Sequence, residues 1–173
     1  MKSKKIILVV FLLLAVTFSF AQEKTRKQLR KEKQIEKARQ TSILIDSNEF
    51  VFVANKAFPL GFRDIDLTTN PNFIEFKPDF IRSEMPFFGR GYSGIGYGGD
   101  TGLKFEGKPS EFTIEKGKKT YEIKAMVRGK QDVFKILLSV FFDGNASLTI
   151  SSNNRSTISY NGEIAKIEKK GDK

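Results

Sequence analysis

The chain has 173 residues, carries a formal net charge of +10 and contains no histidine, cysteine or tryptophan. Without histidine or cysteine it can form no Ser-His-Asp or Cys-His pair, no histidine or thiolate zinc site and no disulfide. We therefore predict no metal site, no cofactor and no catalytic residue of these kinds. The length is that of one ordinary domain.

The N-terminus has the pattern of a signal peptide. Three lysines among the first five residues precede an uncharged apolar run over residues 6–18, and the small residues Ser19 and Ala21 then stand at the −3 and −1 positions of a cleavage site. A run of about 13 residues is too short to cross a bilayer, which takes roughly 20. We expect cleavage near Ala21, removal of residues 1–21, and a periplasmic or secreted protein with no transmembrane segment left.

Residues 22–42 form a basic arm, predicted to be a solvated helix or a flexible tether. Eight basic and three acidic residues stand between Gln22 and Arg39, whereas the chain that follows is nearly neutral. Strong helix formers dominate the arm, but its apolar residues make no continuous stripe. No aromatic residue is present to stack on bases, so we expect no nucleic-acid partner. Binding to an anionic envelope surface is the alternative to a purely structural role.

Beyond residue 42 the pattern changes to alternating apolar and polar residues, with turn signals about every 8 to 12 residues. Every second residue from Phe134 to Phe142 shares one face, and Asp143-Gly144 predicts a two-residue type I′ hairpin turn. About ten strands and no second helix are predicted. The sequence indicates an all-β domain over residues 43–166, followed by a charged tail at 167–173. An antiparallel meander that closes into a barrel is favoured because closure removes exposed edges, and a β-sandwich is the alternative.

A glycine-rich segment is the main candidate for a binding loop. Seven glycines stand among residues 89–102, and ordering so loose a segment has a high entropic cost. An arginine there offers a planar fork for a carboxylate or phosphate, tyrosines stack on sugars or peptides, and an aspartate accepts hydrogen bonds or helps to bind calcium. In the alternative interpretation the segment only crosses the barrel end. The candidate ligand-binding residues are Arg90, Tyr92, Tyr97 and Asp100.

Several other patterns carry less weight. Residues 89–94 spell G-x-G-x-x-G, but the glycines that follow prevent the helix that a dinucleotide site requires. Asp64 and Asp66 share a strand face and could share a cation. Glu106 and Glu111 could act as the paired acids of a glycan hydrolase, although sequence does not place them at the required separation. The 17 phenylalanines could line a pocket or fill a core.

Three ordered segments, residues 85–92, 102–107 and 154–162, resemble the secreted Bacteroidetes family catalogued as domain of unknown function 4251. The resemblance covers residues 45–163 and implies an exported, β-rich domain with a lipocalin-like barrel and no established activity or ligand. Family members often carry Leu-Pro-Tyr where this chain has Met85-Pro86-Phe87, so no hydroxyl at position 87 takes part in any chemistry. The residues to which we assign a structural role are Pro86, Gly89, Phe105, Gly144, Arg155 and Tyr160.

The sequence is therefore interpreted as an exported, non-catalytic β-barrel domain that binds a small molecule, a glycan or an envelope protein. A carboxylate-dependent glycan hydrolase and a structural partner module of an envelope complex are the alternatives.

Overall fold

The computed structural model describes residues 25–68, 72–92, 102–129 and 132–168. The predicted signal peptide lies outside these ranges, as does most of the predicted tail. The chain forms two compact units, one up to Glu36 and one from Lys37 onward. One helix and ten strands are formed: α1 Arg26–Ser47, β1 Phe50–Pro59, β2 Ile65–Asp66, β3 Phe73–Lys77, β4 Phe80–Met85, β5 Leu103–Gly107, β6 Pro109–Lys116, β7 Thr120–Arg128, β8 Val133–Phe141, β9 Asn145–Ser152 and β10 Ile158–Ala165.

Helix α1 begins and ends at local capping signals. The Thr25 hydroxyl accepts a hydrogen bond from the Gln28 amide, and the Gln28 side chain accepts one from the Thr25 amide, which is a capping box. Asn48, with a φ of 54°, ends the helix in the left-handed region that asparagine tolerates. Within the described ranges no helix is both long enough and apolar enough to traverse a bilayer.

The helix continues to Ser47, five residues past the predicted end of the arm at residue 42. Thr41 and Ile45 are one helical turn apart, and both are buried. Packing of this short face therefore extends the helix into a segment that sequence pattern alone assigns to the β domain.

The strands form one antiparallel sheet in the order β5-β4-β3-β1-β10-β9-β8-β7-β6, with β2 beside β1. The sheet is nearly closed because its two end strands are joined through one residue, Lys108. β5 pairs with β4, whereas β6 pairs with β7. At the junction the Lys108 ammonium pairs with Asp79 at 3.0 Å. The predicted all-β barrel is thus confirmed over the sandwich alternative.

Alternating side chains of the strands fill the interior of the barrel. The rings of Phe50 and Phe76 stack with centroids 4.9 Å apart. Across the seam between the end strands, the rings of Phe105 and Phe134 stack at 4.1 Å. All four rings are buried in one hydrophobic core. These four phenylalanines are therefore part of the packed interior, which is the usual role of aromatic side chains in a core.

The β8–β9 hairpin differs from its prediction. β8 ends at Phe141 and β9 begins at Asn145, so the loop has three residues rather than two. Gly144 has a φ of 89° and its amide donates to the Phe141 carbonyl, whereas Asp143 is not in the left-handed region that a type I′ turn requires. The Asp143 carboxylate instead accepts hydrogen bonds from the backbone and side chain of Asn145, which stabilises the longer loop.

The described residues of four connections lie at one end of the barrel, which we call the loop end: 60–64, 86–92 with 102, 129 with 132, and 153–157. The last of these touches its neighbours on each side. The Asn153 amide donates to the Asp132 carboxylate at 3.0 Å, and the Tyr92 amide donates to the Asn154 carbonyl at 2.8 Å. Pro59 pairs with Ile158, so the β1–β2 hairpin also borders this segment.

Candidate functional site

At the loop end, three consecutive residues have fixed backbones and two of them present exposed side chains. The Arg90 amide donates to the Ser156 hydroxyl at 3.0 Å, and the Ser156 amide donates to the Arg90 carbonyl at 2.9 Å. Gly91 forms a β-bridge with Arg155, and the Tyr92 amide is bonded to Asn154 as described above. The Arg90 side chain is exposed, and Tyr92 is 67% exposed. The backbone is therefore held in place while the arginine and tyrosine face the solvent.

Arg155 connects the two ends of the glycine-rich segment. Its backbone bridges Gly91, and its guanidinium Nη1 donates to the Gly102 carbonyl at 2.9 Å. The guanidinium also lies over the Phe87 ring, 5.3 Å from the centroid, in a cation–π contact. The backbone and the side chain of one residue thus bring together Gly91 and Gly102, which are eleven positions apart.

Gly89 and Ser156 explain why the chain can enter the loop so tightly. A Cβ atom at position 89 would lie 2.5 Å from Cζ of the Phe87 ring and would also overlap the Ser156 hydroxyl. Only glycine allows these side chains to pack against the backbone here. The G-x-G-x-x-G spelling therefore begins at a packing contact, and the chain continues into a β-bridge at Gly91 rather than into a helix.

Tyr160 ties β10 to the start of the same loop. Its side chain is fully buried, and its hydroxyl donates to the Pro86 carbonyl at 2.6 Å. Burial raises the pKa of the Tyr160 phenol well above its ordinary value, while the nearby Arg155 charge acts weakly in the opposite direction. The phenol is therefore a neutral hydrogen-bond donor that positions Pro86.

We predict that Tyr160→Phe lowers the free energy of unfolding by about 1 to 3 kcal/mol, because the half-buried Pro86 carbonyl loses its donor. Urea denaturation at neutral pH measures this loss. The matched control Tyr92→Phe, at an exposed tyrosine, should change stability by less than about 0.5 kcal/mol. Equal effects of the two substitutions would contradict the role assigned to Tyr160.

The difference in stability between wild type and Tyr160→Phe should also depend on pH. The phenol of Tyr160 ionises at about pH 10 in the unfolded chain but stays protonated in the fold. Above that pH the unfolded state binds fewer protons, so this residue reduces stability by about 1.4 kcal/mol for each further pH unit. The stability advantage of wild type over Tyr160→Phe should therefore shrink as the pH rises past about 10. A constant difference would be inconsistent with the buried, neutral phenol.

A second exposed feature at the loop end is the tip of the β1–β2 hairpin. The Phe62 amide donates to the Pro59 carbonyl at 3.3 Å, and Gly61 adopts a φ of 81° in this turn. Three large apolar side chains surround the turn: Phe58 is 38%, Leu60 73% and Phe62 62% exposed. The sequence signals a turn at Pro59 and Gly61, but it does not show that the apolar residues beside the turn point outward.

The carboxylates considered for catalysis or metal binding serve local contacts. Asp64 forms an ion pair with Lys56 at 2.8 Å, which lowers the pKa of the carboxyl. Asp66 accepts hydrogen bonds from the amide and hydroxyl of Thr68, and these lower its pKa as well. Across the described ranges, no three acidic side chains cluster in a way that could hold a metal ion. Glu106 and Glu111 are exposed on β5 and β6.

Of the predicted ligand-binding residues, Arg90 and Tyr92 lie together at the loop end, while Tyr97 and Asp100 fall outside the described residues. The binding role of all four stays a prediction. Among the residues assigned a structural role, four meet at the contacts just described, whereas Phe105 lies in the core and Gly144 in the β8–β9 loop at the opposite end. Ser156 and Asn154, which bind the backbone of Arg90 and Tyr92, belong to the segment 154–162 that resembles the family. That resemblance alone does not indicate that they contact the loop.

The fold and this site define a nearly closed antiparallel β-barrel with a fixed loop end. The family model described as "Domain of unknown function (DUF4251)" matches residues 32–164, and the chain belongs to this family. The crystal structure of a DUF4251 family protein from Bacteroides eggerthii DSM 20697 is similar, with a TM-score of 0.58. The alignment covers 75% of this chain and 87% of that one, at 18% sequence identity, so the likeness concerns the fold alone. No curated protein shows significant similarity to the chain.

Proposed function

We propose that this protein is an exported, non-catalytic binding domain that recognises an envelope protein at its loop end. The observation that carries the proposal is the geometry of residues 90–92, whose backbone is held by the 154–156 segment while Arg90 and Tyr92 face solvent. A segment whose backbone is already fixed loses little backbone conformational entropy on binding, which favours affinity.

The composition of the loop end supports a protein partner. Tyrosine, phenylalanine and arginine are enriched in the centres of protein interfaces. The exposed hairpin tip with Leu60 and Phe62 borders the same 153–158 segment that holds Arg90 and Tyr92. An apolar tip beside an arginine and a tyrosine is the combination expected of an interaction surface.

The packed interior favours a surface site over a carrier function. The largest fully buried side chains include Tyr160, Phe50, Phe52 and Phe76, which all belong to one hydrophobic core in the interior where a carrier would hold its ligand. The hydrolase alternative relies on Glu106 and Glu111. Both side chains are exposed on β5 and β6, whereas an enzyme's substrate pocket encloses its functional groups.

Chemical cross-linking of the wild-type protein in the envelope fraction of the native host first identifies the partner. The affinity of the purified partner is then measured for wild type and for Arg90→Ala/Tyr92→Ala. The loop-end variant should bind at least about tenfold more weakly, as expected when interface anchors are truncated. Lys135→Ala/Phe141→Ala is the matched control, since it removes one exposed cation and one exposed ring from β8. An unchanged affinity of the loop-end variant would refute the site, and a bound glycan or small molecule in place of a protein would refute the partner class.

A further inference from the structure

The first turns of α1 carry cations on one side of the helix only. Successive residues of an α-helix are rotated by about 100°, which places the five cations of this region within an arc of about 160°. Glu32 and Glu36 lie on the opposite side. We call this arc the basic face, and it comprises Arg26, Lys27, Arg30, Lys31 and Lys33, all exposed.

The charge pattern opposes the stability of the isolated helix. The first turn contains no acidic residue and the last turn no basic one, which is the reverse of what the helix dipole favours. Among the residues of the basic face, Arg26 and Arg30 stand one helical turn apart, as do Lys27 and Lys31, and each of these pairs of like charges is destabilising. An anionic surface beside the basic face would interact favourably with the positive end of the helix dipole and would offset the repulsion between the neighbouring cations.

We propose that the basic face binds the anionic surface of a phospholipid bilayer. The basic face covers nearly half of the helix circumference, so the cations at both of its edges can contact a flat surface such as a bilayer. A linear polyanion would contact only a narrow strip of the helix. The helix has no aromatic side chain between Arg26 and Lys37 to stack on a sugar ring, which argues against an acidic polysaccharide. Leu29 and Ile35 lie outside the basic face, so adsorption is electrostatic and the helix stays at the headgroup level.

The test measures partitioning of the protein onto vesicles of equimolar phosphatidylglycerol and phosphatidylcholine, and onto vesicles of phosphatidylcholine alone. Lys27→Gln/Lys31→Gln/Lys33→Gln removes three cations from the basic face. Lys118→Gln/Lys119→Gln/Lys135→Gln removes three exposed lysines from the β6–β7 turn and β8 and gives the same net charge. All three proteins begin at Gln22, after the expected cleavage site, so that the apolar run at residues 6–18 does not contribute to vesicle binding.

Wild type and the control variant Lys118→Gln/Lys119→Gln/Lys135→Gln should bind the anionic vesicles with similar affinity. The basic-face variant should bind them roughly a hundredfold more weakly, which is about fivefold for each cation removed. Wild-type binding should fall as salt rises from about 50 to about 300 mM, since screening shortens the reach of the charges. Circular dichroism should show more helix in wild type on the anionic vesicles.

Three outcomes overturn the proposal. Equal losses in both triple variants would show that net charge alone is responsible. Equal binding to neutral vesicles would exclude an electrostatic surface contact. Binding to an acidic polysaccharide without binding to anionic vesicles would assign the basic face to a different partner. None of these results bears on the loop end, which is tested by different residues.

Discussion

Gly162→Ala is expected to lower the free energy of unfolding by at least about 3 kcal/mol, and we expect it to be the most damaging single methyl addition among the described residues. A Cβ atom at this position would lie 2.8 Å from Cα of Ala54 and would overlap the carbonyl oxygen of Val53. Both contacts are with backbone atoms of β1 at the bulge between Ala54 and Lys56, so no side-chain rotation can relieve them.

Urea denaturation of Gly162→Ala and Gly61→Ala separates crowding from backbone strain. Nothing lies within 4 Å of a Cβ at Gly61, but its φ of 81° disfavours alanine, so that control should lose only about 1 kcal/mol. A Gly162→Ala protein as stable as Gly61→Ala would mean that β1 and β10 do not approach as closely as described.

Phe105→Ala is the second substitution with a large expected effect, about 3 to 5 kcal/mol of unfolding free energy. The Phe105 ring is buried and stacks on Phe134 across the seam where the two end strands of the sheet meet. Removing it leaves a cavity and takes away the ring contact between β5 and β8.

Chemical denaturation combined with amide hydrogen exchange tests both parts of this prediction. Exchange in β5 and β6 should accelerate more than exchange in β9 and β10, because the seam opens before the centre of the sheet. Phe58→Ala, at a ring that is 38% exposed, should change stability by less than about 1 kcal/mol. A uniform acceleration across the sheet would show that Phe105 supports the whole core rather than the seam.

The strands are the part of this fold that sequence patterns predict well. Alternation is a local property, so a segment such as β8, with Phe134, Ile136, Leu138 and Val140 buried, can be identified from its own residues. The helix continues beyond the predicted end of the arm because its last turns are held by tertiary packing of Thr41 and Ile45, which sequence pattern does not show. The sequence does not predict the length of the β8–β9 loop, because Asp-Gly suits both a two-residue type I′ turn and a three-residue loop with glycine in the left-handed region.

The contacts that build the candidate site could not be predicted in the same way. Tyr160 bonds to Pro86, 74 positions away, and Arg155 reaches Gly102 across 53. No periodicity relates residues at such separations. The exposed hairpin tip could not be predicted for a different reason. Its apolar residues have the composition of a core segment, but the β1–β2 pairing includes only Lys56 and Ala57 of β1, so the tip extends beyond the paired part of the hairpin.

The Arg155 connection has a consequence for how this protein can diversify. Because one arginine joins the chain at Gly91 and at Gly102, the closure of the intervening segment is fixed by the scaffold and not by the segment's own sequence. Doubling the length of a flexible loop adds only about 0.6 kcal/mol of closure entropy. Insertions and new sequences between these two glycines should therefore change the stability of the barrel little.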